Sequence, residues 1–168
     1  MAYQIVDAVI GAQPIADTST TQNHPLGKVI RANDPTLGEG EFIYLLGVVS
    51  TIVGAVAIYS ATTWQTTLTV GATHKNSGAP VGVAMSANVA SQYGWYQIGG
   101  NAVMKKTAVA VTPTVPVMLS ATAGRIKVLT SAGFMIVGAR SANLATVTST
   151  TSTVTVTINR AHIQGQIT

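Results

Sequence analysis

Cysteine is absent from this chain, so it can have no disulfide framework, no thiolate metal site and no cysteine nucleophile. Charge is nearly as scarce: Asp, Glu, Lys and Arg make up 8% of the residues, against about 25% in ordinary soluble domains. Acid is scarcest of all. The five carboxylates (Asp7, Asp17, Asp34, Glu39 and Glu41) lie within the first 41 residues, and no acidic side chain follows from Phe42 onward. Paired-carboxylate catalysis is thereby excluded from most of the chain, and a Ser–His–Asp arrangement would have to draw its acid from the N-terminal segment. No serine stands in Gly-x-Ser-x-Gly and no GxxxxGK[ST] phosphate loop occurs. His24, His74 and His162 share no metal-ligand spacing and read as surface or turn histidines. These absences point away from an enzyme and imply no cofactor, no metal and no small-molecule substrate.

Other signals are missing too. Residues 1–14, MAYQIVDAVIGAQP, lack the basic and continuous apolar regions of a signal peptide. No Asn-x-Ser/Thr acceptor is present. Residues 43–59, IYLLGVVSTIVGAVAIY, run 17 positions without a charge, the bottom of the range for a transmembrane helix. However, the run is rich in β-branched residues, Gly47 and Gly54 interrupt it, and Ser50–Thr51 sits at its centre. It reads as two buried strands joined by a turn near Ser50–Thr51, with no membrane span.

What is present is apolar and basic. Apolar residues make up 47% of a 168-residue chain, a size at which folding buries roughly 70% of the unfolded surface. A Thr, Ser, Ala, Asn and Gln surface with few ions resists association poorly, which favours life inside an assembly. Beyond residue 41 the charges are Lys75, Lys105, Lys106, Arg125, Lys127, Arg140 and Arg160, all positive. Only Lys105 and Lys106 are adjacent, and no nucleic-acid-binding motif accompanies them, so direct nucleic-acid binding is not expected. Lys105, Lys106, Arg125 and Lys127 are candidate electrostatic contacts for an acidic protein partner or for the acidic N-terminal segment of a neighbouring copy.

Residues 1–40 form a different region from the rest. Pro14, Pro25, Pro35, the TSTTQNHP run and the NDP and GEGE sequences predict an extended arm with few strands. It would lie across its own or a neighbouring subunit, with Ile5, Val6, Ile10, Ile15 and Leu26 as apolar anchors. Residues 41–168 read as one β-domain. Strands are expected at 42–49, 53–60, 66–70, 80–85, 93–98, 101–104, 108–111, 116–120, 125–129, 133–139 and 153–159. TVTVTI at 153–158 places Val154, Val156 and Ile158 on one face and threonines on the other. The best helix candidate, 85–92, reads as a loop or a single turn. The expected fold class is all-β: a single β-barrel or β-sandwich with an extended N-terminal arm and little or no helix.

Residues 78–104, GAPVGVAMSANVASQYGWYQIGGNAVM, concentrate three of the nine aromatics, Tyr93, Trp95 and Tyr96, before any charge appears at Lys105. In a strand, Tyr93 and Trp95 share one face and Tyr96 takes the other. Core packing is one role for Trp95; an interface, or a platform that stacks sugars or bases, is the alternative.

The succession GEGEFIYLLGVVSTIVGAVAIY, TLTVG, GAPVGVAMS…YGWYQIGGNAVM and PVMLSATAGRI, spanning roughly residues 38–140, resembles the capsid decoration, or cement, proteins of tailed bacteriophages. YGW-x-Q-x-x-G-x-A is its most specific part. The resemblance implies a non-enzymatic virion protein, made in the host cytoplasm and bound as a homotrimer to the capsid exterior. Its partner would be the major capsid protein, whose neighbouring capsomers it would cement. A tail-tube or head-fibre subunit and a carbohydrate- or receptor-binding β-module are the competing readings.

Overall fold

The computed structural model describes residues 3–7, 11–128 and 131–166. Its twelve strands are β1 (Gln4–Ile5), β2 (Thr18–Ser19), β3 (Val29–Asp34), β4 (Gly38–Leu46), β5 (Val56–Tyr59), β6 (Thr66–Leu68), β7 (Val81–Ala84), β8 (Tyr93–Lys105), β9 (Pro116–Leu119), β10 (Ile126–Lys127), β11 (Met135–Ser141) and β12 (Thr153–Ile163). One four-residue helix, α1 (Gly71–His74), is the only helix among the described residues. The all-β class expected from the sequence is what the chain forms, as one open antiparallel sheet.

β8 organises the sheet. Its first half pairs with β4, from Leu46↔Tyr93 to Glu41↔Gly99, and its second half with β12, from Asn159↔Gly99 to Thr153↔Lys105. Separate strands were expected at 93–98 and 101–104. The chain instead runs straight through. Gly100 has φ +88°, and a Cβ there would strike the Glu39 carbonyl oxygen. The glycines thus permit a bulge at which β8 passes from one neighbour to the other.

The two-residue period survives where it was clearest. Ile43, Leu45, Tyr96 and Ile98 belong to one buried cluster, while Phe42, Tyr44 and Trp95 belong to another. These are the opposite faces of the β4–β8 pair, as the alternation required. On β12, Val154, Val156 and Ile158 are buried and Thr157 is exposed. Exposed Asn159–Arg160 then shifts the phase, so Ala161 and Ile163 also face the core, and the strand runs to Ile163 rather than ending at 159. These β12 residues join Val81, Val83, Met104, Leu119, Ile126 and Ile136 in the largest cluster. Single backbone bonds draw the sheet's far elements around it: Gly71 N–H to Ser120 O at 2.8 Å, Val56 N–H to Gly124 O at 2.9 Å and Ile163 N–H to Ala79 O at 2.9 Å. No continuous ladder closes the ring.

Other expectations need correction. Residues 108–111 form no strand; Val111 alone makes an isolated bridge, to Val147. Within the expected arm, residues 29–34 are a full sheet member, paired with β4 from Val29↔Ile43 to Asp34↔Gly38. Pro35 sits in a hairpin turn held by Asp34 Oδ1, which accepts the Thr36 and Leu37 N–H groups at 2.8 and 2.9 Å. The 43–59 run is β4, a loop and β5, with Ser50 in the left-handed region at φ 67° inside the loop. No helix of the described residues is long and apolar enough to cross a membrane.

Candidate functional site

The most highly built part of the molecule is the seam where residues 11–28 cross the β4–β8 face. Trp95 and Tyr44 are fully buried there, their rings 4.9 Å apart in an edge-on arrangement. Tyr93, half-buried, stacks on Tyr44 at 6.3 Å. Gln13 ties the crossing segment to these rings with every group it has. Its carbonyl oxygen accepts Trp95 Nε1–H at 2.9 Å, and its side-chain oxygen accepts Tyr44 O–H at 2.8 Å and Asn23 Nδ2–H at 3.0 Å. Its side-chain amide donates to Asp17 O at 2.9 Å and Tyr93 O at 3.3 Å. Its backbone N–H donates to His24 Nε2 at 3.0 Å. A buried amide satisfied this fully fixes one position for the segment.

The sequence did not single out Gln13, and it read His24 as a surface or turn histidine. His24 is buried, 7% exposed, with its ring 5.1 Å from Tyr44 and 5.3 Å from Trp95. Burial, reinforced by nearby Lys28, lowers its pKa below 6.5. No local pattern marks either residue, because the rings they hold lie on β4 and β8, up to 82 positions away. His74 Nδ1 accepts the Val70 N–H at 2.9 Å, and His162 is exposed.

Of the expected anchors, Ile15 is buried, and Ile5 and Leu26 pack half-buried against the Phe42–Tyr44–Trp95 cluster. Val6 is 55% exposed, so its side chain does not anchor the segment within this chain. Ile10 lies outside the described residues. Tyr96, on the opposite face, is buried with its hydroxyl 3.4 Å from both Thr66 Oγ1 and Asn88 Nδ2, and burial raises its pKa. With Trp95 and Tyr96 both inside, Tyr93 is the one ring of the three that reaches the surface.

Of the four expected electrostatic contacts, one is withdrawn from the surface. Lys106 is 1% exposed, and its ammonium donates to Val109 O at 2.7 Å and Thr107 O at 3.3 Å. This corrects its assignment as a surface charge: the chain leaving β8 turns inward there, and burial lowers its pKa. Arg125 donates to the Lys106 carbonyl oxygen at 3.0 Å, Lys127 lies 5.1 Å over the Phe134 ring, and Lys105 is half-buried. Because Lys106 has two carbonyl acceptors and no carboxylate, Lys106→Met exchanges two charge-assisted bonds for relief of a desolvated cation. The expected melting temperature lies within about 4 °C of the parent. A drop beyond about 10 °C in calorimetry would show that the two carbonyl bonds dominate.

Two surface features remain. The loop between β4 and β5 and the loop between β7 and β8 adjoin through Gly47 N–H to Gln92 O at 2.8 Å, and Gly54 N–H reaches Ala84 O at 2.8 Å. Together they expose Val49 (66%), Ile52, Val53 and Val89. No Asp, Glu, Lys or Arg occurs in residues 42–74 or 76–104, so both loops are uncharged. Elsewhere, a shallow groove of about 570 Å³ runs along Pro116, Met135 and Val137–Arg140, where the β9–β11 register is interrupted. Among the described residues no group of three His, Cys, Asp or Glu could hold a metal ion.

Comparison of the chain with protein-family models, curated proteins and solved structures finds no match.

Proposed function

We propose that the chain is a non-enzymatic virion structural protein that binds the outer surface of a bacteriophage head and cements neighbouring capsomers. The observation that carries this reading is the uncharged double loop, which holds four of the exposed large apolar side chains, Val49, Ile52, Val53 and Val89. Exposed apolar groups on loops with no charged residue of their own suit a protein contact, and Lys105, whose backbone N–H donates to Gly54 O at 2.8 Å, is the one cation set beside Val53. The likeness of residues 38–140 to decoration proteins supplies the identity of that partner, the major capsid protein. Copies act as homotrimers in this reading, and many modest contacts repeated by symmetry give avidity without one tight site. Burial of Trp95 and Tyr96 weighs against a stacking platform for sugars, since it leaves Tyr93 alone.

The double variant Ile52→Asp/Val53→Asp tests it. Both side chains are exposed, so the isolated protein is expected to keep its melting temperature, while capsid occupancy seen by electron microscopy of virions falls at least tenfold. Undiminished occupancy, or density in stacked hexameric tail rings, would overturn the reading. A deletion of residues 1–35 is a poorer test, because it removes Gln13 and β3 and with them part of the core.

A further inference from the structure

We propose that His24 is an acid-released latch: neutral, it holds residues 11–24 against the β4–β8 face, and protonated, it lets that segment go and uncovers Trp95 and Tyr44. The argument starts from one hydrogen bond. His24 Nε2 accepts the Gln13 backbone N–H at 3.0 Å, so this nitrogen must carry a lone pair and the ring proton must sit on Nδ1. Protonating Nε2 places two N–H groups head to head. Gln13 then loses the acceptor of its backbone N–H, and the same residue carries the bonds to Trp95, Tyr44, Asn23, Asp17 and Tyr93. One proton therefore acts on the hub of the side-chain bonds across the seam, leaving the two-residue β2–β8 pairing, Thr18↔Gly94 and Ser19↔Tyr93, as the other hold on the segment.

The surroundings offer the imidazolium little compensation. From β4 the ring meets Tyr44 and from β8 Trp95, with Tyr93 stacked beyond Tyr44. From its own segment the neighbours are Asn23, and Gln22, whose amide donates to the His24 carbonyl oxygen at 3.0 Å. The charged group that acts on it is Lys28, of the same sign as the imidazolium, and no carboxylate contributes. Asp17, the nearest acid along the segment, is exposed and enters the seam only through its backbone oxygen. The faces of Trp95 and Tyr44 offset part of the cost of a cation, but burial and Lys28 act the other way and hold His24 below 6.5. The sign follows. Because the seated form has the lower pKa, the unseated histidine binds more protons, so seating is complete above pH 6.5 and weakens as pH falls below it. The rest of the sheet has no such dependence on His24: the β8–β12 ladder and its Val154, Val156 and Ile158 core lie outside this seam. Release is therefore local, an opening of one segment on an intact body.

Amide-resolved hydrogen exchange on the full chain, expressed as protection relative to the free-chain rate at each pH, tests the latch between pH 7.5 and 5. Protection of the Gln13 amide and the Trp95 indole N–H is expected to fall severalfold over that range, while Val103 and Val156 keep theirs. His24 itself should titrate below 6.5 when followed through its ring proton resonances. In His24→Gln, or in His24→Asn should the first not fold, a non-titrating side-chain oxygen can accept the Gln13 N–H, and the pH dependence should vanish. Titration at or above 6.5, loss of Val103 and Val156 protection in step with Gln13, or an unchanged pH dependence in the folded variant would each overturn the proposal.

Discussion

Trp95→Ala is expected to destabilise the protein by about 3–5 kcal/mol, the range for removing a fully buried tryptophan, and so to remove a large share of the roughly 5–15 kcal/mol that holds a domain together. Trp95 is 0% exposed and packs among Ile15, Ile30, Phe42 and Tyr44. Its loss leaves a cavity between the crossing segment and the sheet, and it also orphans the Gln13 carbonyl oxygen that accepts the indole N–H. Trp95→Phe separates the two contributions. It keeps most of the ring volume and loses the hydrogen bond, so a cost of about 1–3 kcal/mol is expected. Urea unfolding of the three proteins measures both steps. A loss below about 1 kcal/mol for the alanine variant would contradict a core role for Trp95 and return it to the surface-platform reading.

Gly47→Ala is expected to be nearly as damaging, about 3 kcal/mol, at the upper end for overpacking. A Cβ on Gly47 falls on the Asn88 carbonyl oxygen and within 2.6 Å of the Val89 carbonyl oxygen. Both obstacles are backbone, so no side-chain rotation relieves them, and the two exposed loops must move apart. This also disrupts the Gly47 N–H to Gln92 O bond and the apolar double loop on which the proposed capsid contact rests. Val89→Ser on the same loop truncates a side chain that is 36% exposed and meets no backbone obstacle, and is expected to cost about 1 kcal/mol, well below the glycine variant. Thermal unfolding of the pair checks this: equal, small effects would mean that the loops separate without cost. The glycine variant should lose capsid occupancy through loop displacement, and the serine variant only through lost apolar contact.

How much of this was legible beforehand depended on range in sequence. The β class, the inward row of Val154, Val156 and Ile158, the loop at Ser50–Thr51 and the opposite facing of Trp95 and Tyr96 all follow from a two-residue period or a local breaker. The absence of acids beyond Glu41 likewise needed no coordinates. Such features are properties of a few consecutive residues, and a strand imposes them whatever it pairs with. Gly99–Gly100 left the break between two strands undecided, because a glycine pair signals unusual backbone geometry without saying whether the chain reverses or bulges. Only the presence of β4 on one half of β8 and β12 on the other decides that.

The reading of Lys106 as a contact charge failed for a related reason. The type of residue at position 106 is plain in the sequence, but its burial is decided by carbonyl oxygens that the following turn aims at the ammonium. The aromatic stretch told the same story more fully. From residues 78–104 alone, Trp95 could be core, interface or platform. The sequence by itself determined that this chain builds β-structure, lacks the means for carboxylate or thiol chemistry beyond residue 41, and spreads very little charge over its surface. Tertiary structure alone decided that Trp95 lies beneath residues 11–28, that Gln13 and His24 secure that crossing, and that the exposed apolar groups gather on two adjoining loops. Period and composition are local quantities, whereas burial and hydrogen-bond partnership belong to pairs of residues that only the folded chain brings together.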